Sequence, residues 1–231
     1  MKPSYNEMSM RTGTTFSQSV AVPTQGAASR FFKRAMDIVG ALTFFVLLGW
    51  LFMAIWAMVL LTTGGPAIYR HGRMGRGGRE FKCLKFRSMV TNSEEVLRHL
   101  LETDPAARAE WDATFKLKND PRITRFGRFI RKTSLDELPQ FWNVLVGDMS
   151  LVGPRPVVRK ELEQYYGLYA PVYGSVRPGI TGPWQVGGRS DLSYSERVAL
   201  DTQYVHNRSF WGDVGLLFKT VKVFISHKGS Y

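Results

Sequence analysis

The segment Ser134-Leu135-Asp136-Glu137-Leu138-Pro139 carries the two side chains in this sequence best suited to do chemistry. Two readings of it compete. Ser134 and Glu137 stand at capping-box spacing, and acids in a first turn are favoured by the helix dipole. On that reading the segment simply opens a helix running to about Val146. The other reading is catalytic. Adjacent residues on a helix point roughly 100° apart, so one carboxylate can face a substrate while its neighbour holds a metal. Basic residues also gather around the pair: Arg128, Arg131 and Lys132 precede it and Arg155 follows it. An aspartate with a reference pKa of about 3.9 is a nucleophile at neutral pH without a general base. Its obstacle is charge, because it would attack a diphosphate of the same sign. A Mg2+ ion held by the neighbouring carboxylate and the diphosphate oxygens, with arginine forks on the equatorial oxygens, would remove that obstacle. The product would be an aspartyl phosphate ester, which splits one hard transfer into two.

Other chemistries find no support. The sequence has no G-x-x-x-x-G-K-[ST] loop, no H-E-x-x-H and no D-x-D. The histidines His71, His99, His206 and His227 are scattered without ligand spacing, and the single cysteine, Cys83, excludes an internal disulfide and a cysteine zinc cluster. The glycines at 72, 75, 77 and 78 form a turn between two short strands, so they are not a dinucleotide fingerprint.

The elements that must position the acid pair follow from composition and patterning. The chain has 231 residues, a formal charge of +12 and 44% hydrophobic content, enough for one domain with an appendage and a buried core. The excess of base predicts anionic partners: nucleic acid, phospholipid headgroups or phosphorylated substrates. Lysines and arginines are dispersed and no nucleic-acid motif surrounds them, which disfavours the first. Residues 1–29 read as a flexible polar tail. From Ile38 to Leu61 no residue is charged. As a helix this run would be roughly 36 Å long, enough to cross a hydrocarbon core of about 30 Å. Arg30, Lys33 and Arg34 flank it on one side and Arg70, Arg73, Arg76 and Arg79 on the other. The positive-inside rule would keep both flanks in the cytoplasm, which a straight span cannot do and a bent, re-entrant helix can. Gly49-Trp50 marks the middle. Patterning leaves re-entry and a simple span equally open. The spacing predicts strands over Ala67–Arg70 and Glu80–Phe86, a helix from Thr91 to about Lys118, one over Arg159–Tyr169, a loop over Pro178–Arg189 and a helix from Leu192 to about Asn207. In the last segment Phe210, Val214, Leu217, Val221, Phe224 and Ile225 share one face, with Lys219, Lys222 and Lys228 elsewhere, as in an interfacial helix or an amphipathic core helix.

Three blocks carry a resemblance. They are Phe81-Lys82-Cys83-Leu84-Lys85-Phe86-Arg87-Ser88-Met89; Thr133 to Val144 running into Gly147 to Pro156; and Arg177-Pro178-Gly179-Ile180-Thr181-Gly182 with Trp184-Gln185-Val186 and Gly188-Arg189-Ser190. Together they resemble the bacterial sugar transferase family, the small monotopic polyprenyl-phosphate phosphoglycosyl transferases. Within it the chain is most similar to the short enzymes that initiate exopolysaccharide synthesis, without the N-terminal transmembrane bundle of longer members. The resemblance implies transfer of a hexose 1-phosphate from a UDP-sugar to undecaprenyl phosphate with release of UMP. It makes Asp136 the nucleophile and Glu137 the Mg2+ ligand. It places Lys85, Arg87, Arg131, Arg155, Gln185 and Arg189 in substrate binding, with galactose or glucose as the expected sugar. It implies an α+β, mostly helical fold: a re-entrant helix–break–helix over 30–63 in the bacterial inner membrane, and a cytosolic domain over 64–231 with a small β-hairpin and interfacial helices on anionic lipid. Two departures stand out. Gly49-Trp50 occupies the positions where the family commonly has Ser-Pro, and Pro183-Trp184 stands where many members have two smaller apolar residues. The competing class is a basic, membrane-tethered scaffold without catalysis, which accounts for the charge and the apolar run but not for the acid pair among bases.

Overall fold

The computed structural model describes residues 22, 24–114, 117–188 and 192–226; most of the segment read as a polar tail, and Arg189, lie outside the described residues. The chain is mostly helical, with two small sheets. Helix α1 (Ala27–Thr63) leads into a hairpin of β1 (Ile68–Met74) and β2 (Glu80–Phe86). Helices α2 (Ser93–Thr103) and α3 (Pro105–Thr114) follow, then α4 (Arg125–Lys132), a single 3-10 turn (Leu135–Glu137) and α5 (Gln140–Val146). Strand β3 (Ser150–Val152) pairs in parallel with β4 (Gly179–Thr181). Irregular helical turns over 159–169 and a short α6 (Ala170–Gly174) lie between them. The chain closes with α7 (Pro183–Gly187), α8 (Tyr194–Asn207) and α9 (Phe210–Ser226).

The expected hairpin is present and longer than its sequence pattern, with Tyr69 opposite Lys85, His71 opposite Cys83 and Arg73 opposite Phe81. The helix expected over 91–118 is two helices. Pro105 cannot continue α2, and Asp104 instead accepts the N–H groups of Ala106 and Ala107 to start α3. The loop expected over 178–189 contains β4 and α7, and the segment 159–169 passes through a π-type turn at Leu162–Tyr166 rather than a regular helix.

Helix α1 corrects the expectation of a break. It runs for 37 residues without interruption and ends where Gly64 takes the left-handed conformation at φ 69°. Gly49 keeps its N–H and brings no ring into the preceding turn, and the Trp50 indole N–H donates to the Leu47 carbonyl, so nothing there forces a bend. One stripe of α1 (Asp37, Ala41, Phe44, Ile55, Val59 and Thr63) is buried against the domain. The opposite face bares Val46, Trp50 and Leu61, each more than 70% exposed.

The two halves of α1 dock differently. In the second half, Ile55 and Val59 join Ala67, Phe86 and Ile130 in one core, with Leu135 and Leu138 packed against it. In the first half, Phe44 stacks on Phe141 at 3.9 Å, and Gly40 lies so close to Leu151 that a Cβ there would come within 2.5 Å of Cδ1. Asp37 accepts from Ser150 Oγ (2.9 Å) and the Leu151 N–H (3.0 Å). Lys33 pairs with Asp213 at 2.8 Å, lies 3.6 Å from Asp37 and donates to the Val152 carbonyl. Arg34 donates to the Val144 and Leu145 carbonyls, closing the C-terminus of α5. Two of the three basic residues before the apolar run are thus turned into the protein rather than toward a headgroup layer. Helix α9 is rotated from the face drawn on the sequence. Asp213, Leu216, Leu217 and Thr220 turn toward the domain, while Trp211, Phe218 and Val221 are exposed. The side chains of Phe224 and Ile225, and all of Lys228, lie outside the described residues.

The docking of α1 has a measurable consequence. Lys33→Met leaves Asp37 and Asp213 buried without their cation, and removing one partner of such a pair costs about 3–5 kcal/mol. The variant should unfold at clearly lower temperature in micelles, and adding Asp213→Asn should recover part of the loss.

Candidate active site

The acid pair sits on the 3-10 turn between α4 and α5. The chain enters it through Ser134 at φ 55°, the single non-glycine residue with positive φ among the described residues. Holding serine there costs on the order of 1 kcal/mol. Its hydroxyl makes no cap, so the capping box inferred from spacing does not form. The turn is held from below instead: Leu135 and Leu138 pack against Ile55, Val59, Phe86 and Ile130. Asp136 and Glu137, between those two leucines, face the hairpin.

Lys85 reaches both acids from β2. Its Nζ donates to Glu137 Oε1 at 2.6 Å and lies 3.8 Å from Asp136 Oδ2. The strand is fixed in register by the buried Asn143, whose Oδ1 accepts the Leu84 N–H and whose Nδ2 donates to the Lys82 carbonyl, both at 2.9 Å. Glu137 and Lys85 line a small cleft with Arg73, Cys83, Gln140, Arg155, Pro156, Ile180 and Gln185. A roomier groove along α2, lined by Glu95, His99 and Glu102 among others, holds none of these groups.

The two carboxylates differ in character. Burial pushes the Asp136 carboxyl up to about 6, against the pull of Lys85 and with the Glu137 charge adding to the rise. This departs from the reference value assumed from sequence, because the side chain has lost its water. Burial also acts on Glu137, but the positive charges of Lys85, Arg155 and Arg73 outweigh it and hold that carboxyl below its usual value. Asp136 is therefore the more basic and less solvated oxygen, and Glu137 the firmly ionised one. Burial pushes the Cys83 thiol up to about 11, which removes it as a nucleophile, and burial beside Arg73 and Lys85 keeps His71 neutral.

Among the described residues no group of three His, Cys, Asp or Glu side chains could hold a metal ion. Two adjacent hard carboxylates still suit Mg2+, which commonly takes one or two carboxylates and completes its shell with water and substrate phosphates. The fit therefore depends on a phosphorylated ligand being present.

The structure gathers Glu137, Lys85, Arg155 and Gln185 in one cleft, with Asp136 outside its lining and 3.8 Å from the Lys85 ammonium. Arg131 is exposed on α4, and its charge is felt by Asp136 without a hydrogen bond between them. Arg87 points elsewhere, donating through Nε to the Pro66 carbonyl (2.8 Å) and lying over the Tyr69 ring. Arg189 lies outside the described residues. Sequence reasoning treated Arg73 only as a flanking charge and missed its place in the cleft. Strand alternation held the signal, because residues directly opposite across an antiparallel pair share a face, and Arg73, His71, Cys83 and Lys85 lie on one.

A family model described as bacterial sugar transferase matches residues 28–227. The chain belongs to the bacterial sugar transferase family. It is 58% identical over 206 residues to a UDP-galactose-lipid carrier transferase of Erwinia amylovora, covering 88% of this chain and 42% of that protein. It is 49% identical over 199 residues to the exopolysaccharide production protein ExoY of Rhizobium meliloti, covering 86% of this chain and 88% of the relative. It is 39% identical over 210 residues to a UDP-glucose:undecaprenyl-phosphate glucose-1-phosphate transferase of Escherichia coli K12, covering 88% of this chain and 42% of the relative. This sugar transferase chain thus spans under half the length of the Erwinia and Escherichia proteins and most of the Rhizobium one.

The raised Asp136 pKa carries a stability cost with a definite sign. Below about pH 4 the group is neutral whether folded or unfolded. Between about 4 and 6 only the folded state keeps the proton, so stability falls with rising pH and stays lower above about 6. In EDTA, Asp136→Asn should therefore melt higher than the parent at pH 7.5, by an amount on the order of 1 kcal/mol or more. At pH 4 the difference should vanish, which paired thermal melts would read directly.

Proposed function

We propose that this chain transfers a hexose 1-phosphate from a UDP-sugar to undecaprenyl phosphate and releases UMP, at the cytoplasmic face of the bacterial inner membrane, as an opening step of exopolysaccharide or related glycan synthesis. The observation that carries the reading is the acid pair held against Lys85, where Glu137 and Lys85 line a cleft walled by Arg73 and Arg155. The names of the Erwinia and Escherichia relatives supply the substrate classes, and galactose or glucose are accordingly the first sugars to test.

In this reaction the Asp136 carboxylate attacks the phosphorus that bears the sugar. The bond from that phosphorus to the bridging oxygen breaks, and UMP departs with the electron pair. The sugar phosphate remains on Asp136 as a mixed anhydride. A phosphate oxygen of undecaprenyl phosphate then attacks the same phosphorus and returns the carboxylate. Desolvation raises the basicity of Asp136 and so its nucleophilicity. Lys85 and Arg155 lie where they can bind the diphosphate oxygens and oppose like-charge repulsion. Glu137, ionised and adjacent, would hold Mg2+, which when bound supplies the charge neutralisation that phosphoryl transfer requires.

One substrate is water-soluble and the other lipid-bound, so the cleft must meet the bilayer surface. A topology with both ends of α1 on the cytoplasmic side is supported by the docking of both its halves on one domain. A straight span would drag that domain into hydrocarbon, where its polar surface would be unsolvated. The exposed apolar face of α1 would then lie in the leaflet, with neighbouring bases on anionic lipid.

The full chain in nanodiscs, given UDP-galactose or UDP-glucose with undecaprenyl phosphate and Mg2+, should release UMP. Asp136→Asn should lower that rate by about a thousandfold or more, and donor alone should leave the sugar phosphate mass on the Asp136 peptide of the parent. Glu137→Gln should weaken the response in a Mg2+ titration. No UMP release from any UDP-sugar, with vesicle binding retained, would leave the non-catalytic tether as the better account.

A further inference from the structure

Of the cations lining the cleft, Lys85 already donates one bond to Glu137, and Arg73 lies 3.6 Å from Glu161. Arg155 differs. Among the described residues its side chain makes no hydrogen bond or ion pair, and its guanidinium carbon lies 5.8 Å from the ring centroid of Trp184. Trp184 is 8% exposed and is itself enclosed. Arg197 lies over the same indole at 4.8 Å. On the buried side stands Asp201, 1% exposed, which accepts the Tyr166 hydroxyl at 2.7 Å through Oδ2. The indole Nε1 and the other oxygen of Asp201 are both buried without a well-formed hydrogen bond. They lie close enough that the indole dipole opposes part of the rise that burial imposes on the Asp201 carboxyl. Tyr166, Asp201 and Trp184 therefore form a buried prop that ends on Arg155.

We propose that Trp184 is a positioning residue for the donor diphosphate: its ring holds Arg155 by the guanidinium face and leaves the N–H edge of that fork turned to the cleft. A carboxylate partner would fix an arginine equally well but would consume those donors. An aromatic face fixes it without taking any hydrogen-bonding capacity. The fork then stays available for the paired oxygens of a diphosphate, the geometry it recognises best. This assigns a role to the Pro183-Trp184 departure, which the acid-pair chemistry left unused. The inference rests on the diphosphate-transfer reading above, and the test separates the two.

UDP affinity is measured by calorimetry on the full chain in nanodiscs, beside steady-state UMP release, for Trp184→Met, Trp184→Phe, Arg155→Ala and the double variant Trp184→Met/Arg155→Ala. Trp184→Met should weaken UDP binding and raise KM for the UDP-sugar about tenfold, with kcat and KM for undecaprenyl phosphate changed less than threefold. Trp184→Phe, which keeps a π-face, should restore UDP binding to within threefold of the parent. In the Arg155→Ala background Trp184→Met should add nothing. An equal loss with and without Arg155, or a fall in kcat with UDP affinity intact, would overturn the proposal. If Trp184→Met does not fold, Asp201→Asn replaces it: a threefold loss of UDP affinity that vanishes in Arg155→Ala supports the prop, and unchanged affinity rejects it. Failure of UMP release in the parent, with UDP binding still dependent on the Trp184–Arg155 pair, would sink the transferase reading and leave this one standing.

Discussion

One ammonium serves two carboxylates at the centre of this protein. Lys85 bonds Glu137 and stands a further ångström from Asp136, and that inequality gives the two acids different characters. Glu137 receives the larger share of positive charge and stays ionised. Asp136 keeps the desolvation cost of burial with less relief, so its oxygen remains basic. The arrangement tolerates little slippage. Lys85 is delivered by a strand whose backbone is bonded to Asn143 as though to a neighbouring strand, and the acids are delivered by a turn pinned at Leu135 and Leu138. A shift of one residue in β2 would send the ammonium to the other face of the hairpin.

The same turn ties the acid pair to the long apolar helix α1. Ile55 and Val59 of α1 share a core with Ile130, Phe86 and the two leucines that flank the acid pair. Two unfavourable features lie above that core, a buried carboxylate and a serine in the left-handed region. Both persist because the packing beneath them leaves the turn no alternative. Helix α1 is therefore part of the floor of the site as well as an apolar surface. The Lys33–Asp37–Asp213 network at its other end locks its position against β3 and α9. A displacement of α1 would be transmitted to the acids through side chains in direct contact.

Much of this was legible in the sequence, and the misses have physical causes. The hairpin followed from alternation and glycine placement, and the acid pair from residue types among bases. The apolar run gave its length but not its shape, since Gly49-Trp50 permits a bend without imposing one and the docked stripe of α1 keeps the helix intact. Asp104-Pro105 was a readable break that the charged, helix-prone residues on both sides obscured. The parallel pairing of β3 with β4 joins two three-residue strands through 26 intervening residues, and strands so short leave no period to detect. Ser134 looked like a cap because spacing reports residue type and not φ, while its actual conformation is dictated by the leucines packed after it. Lys33 and Arg34 read only as flanking charges because nothing local reveals an aspartate 180 residues away or the carbonyls at the end of α5.

Helix α9 clarifies what kind of surface the protein presents. Its inner face is anchored by Asp213, which receives Lys33 and the Tyr204 hydroxyl, and by Thr220, bonded to Thr181 of β4. Its outer face bares Trp211 and Phe218, both more than 70% exposed. Elements packed around α1 do the same, with Phe129 on α4 and Trp142 and Val146 on α5. Single exposed apolar side chains are ordinary on soluble proteins, but aromatic groups on three elements around a helix bare along its whole outer face are not. Such a surface is stable where its surroundings are apolar and its rim is wet, and tryptophan favours that boundary. Lys219 and Lys222, both exposed, add positive charge beside Phe218. Helix α5 joins the two surfaces: Gln140 lines the small basic cleft, while Trp142 and Val146 of the same helix are exposed beside the bare apolar face of α1.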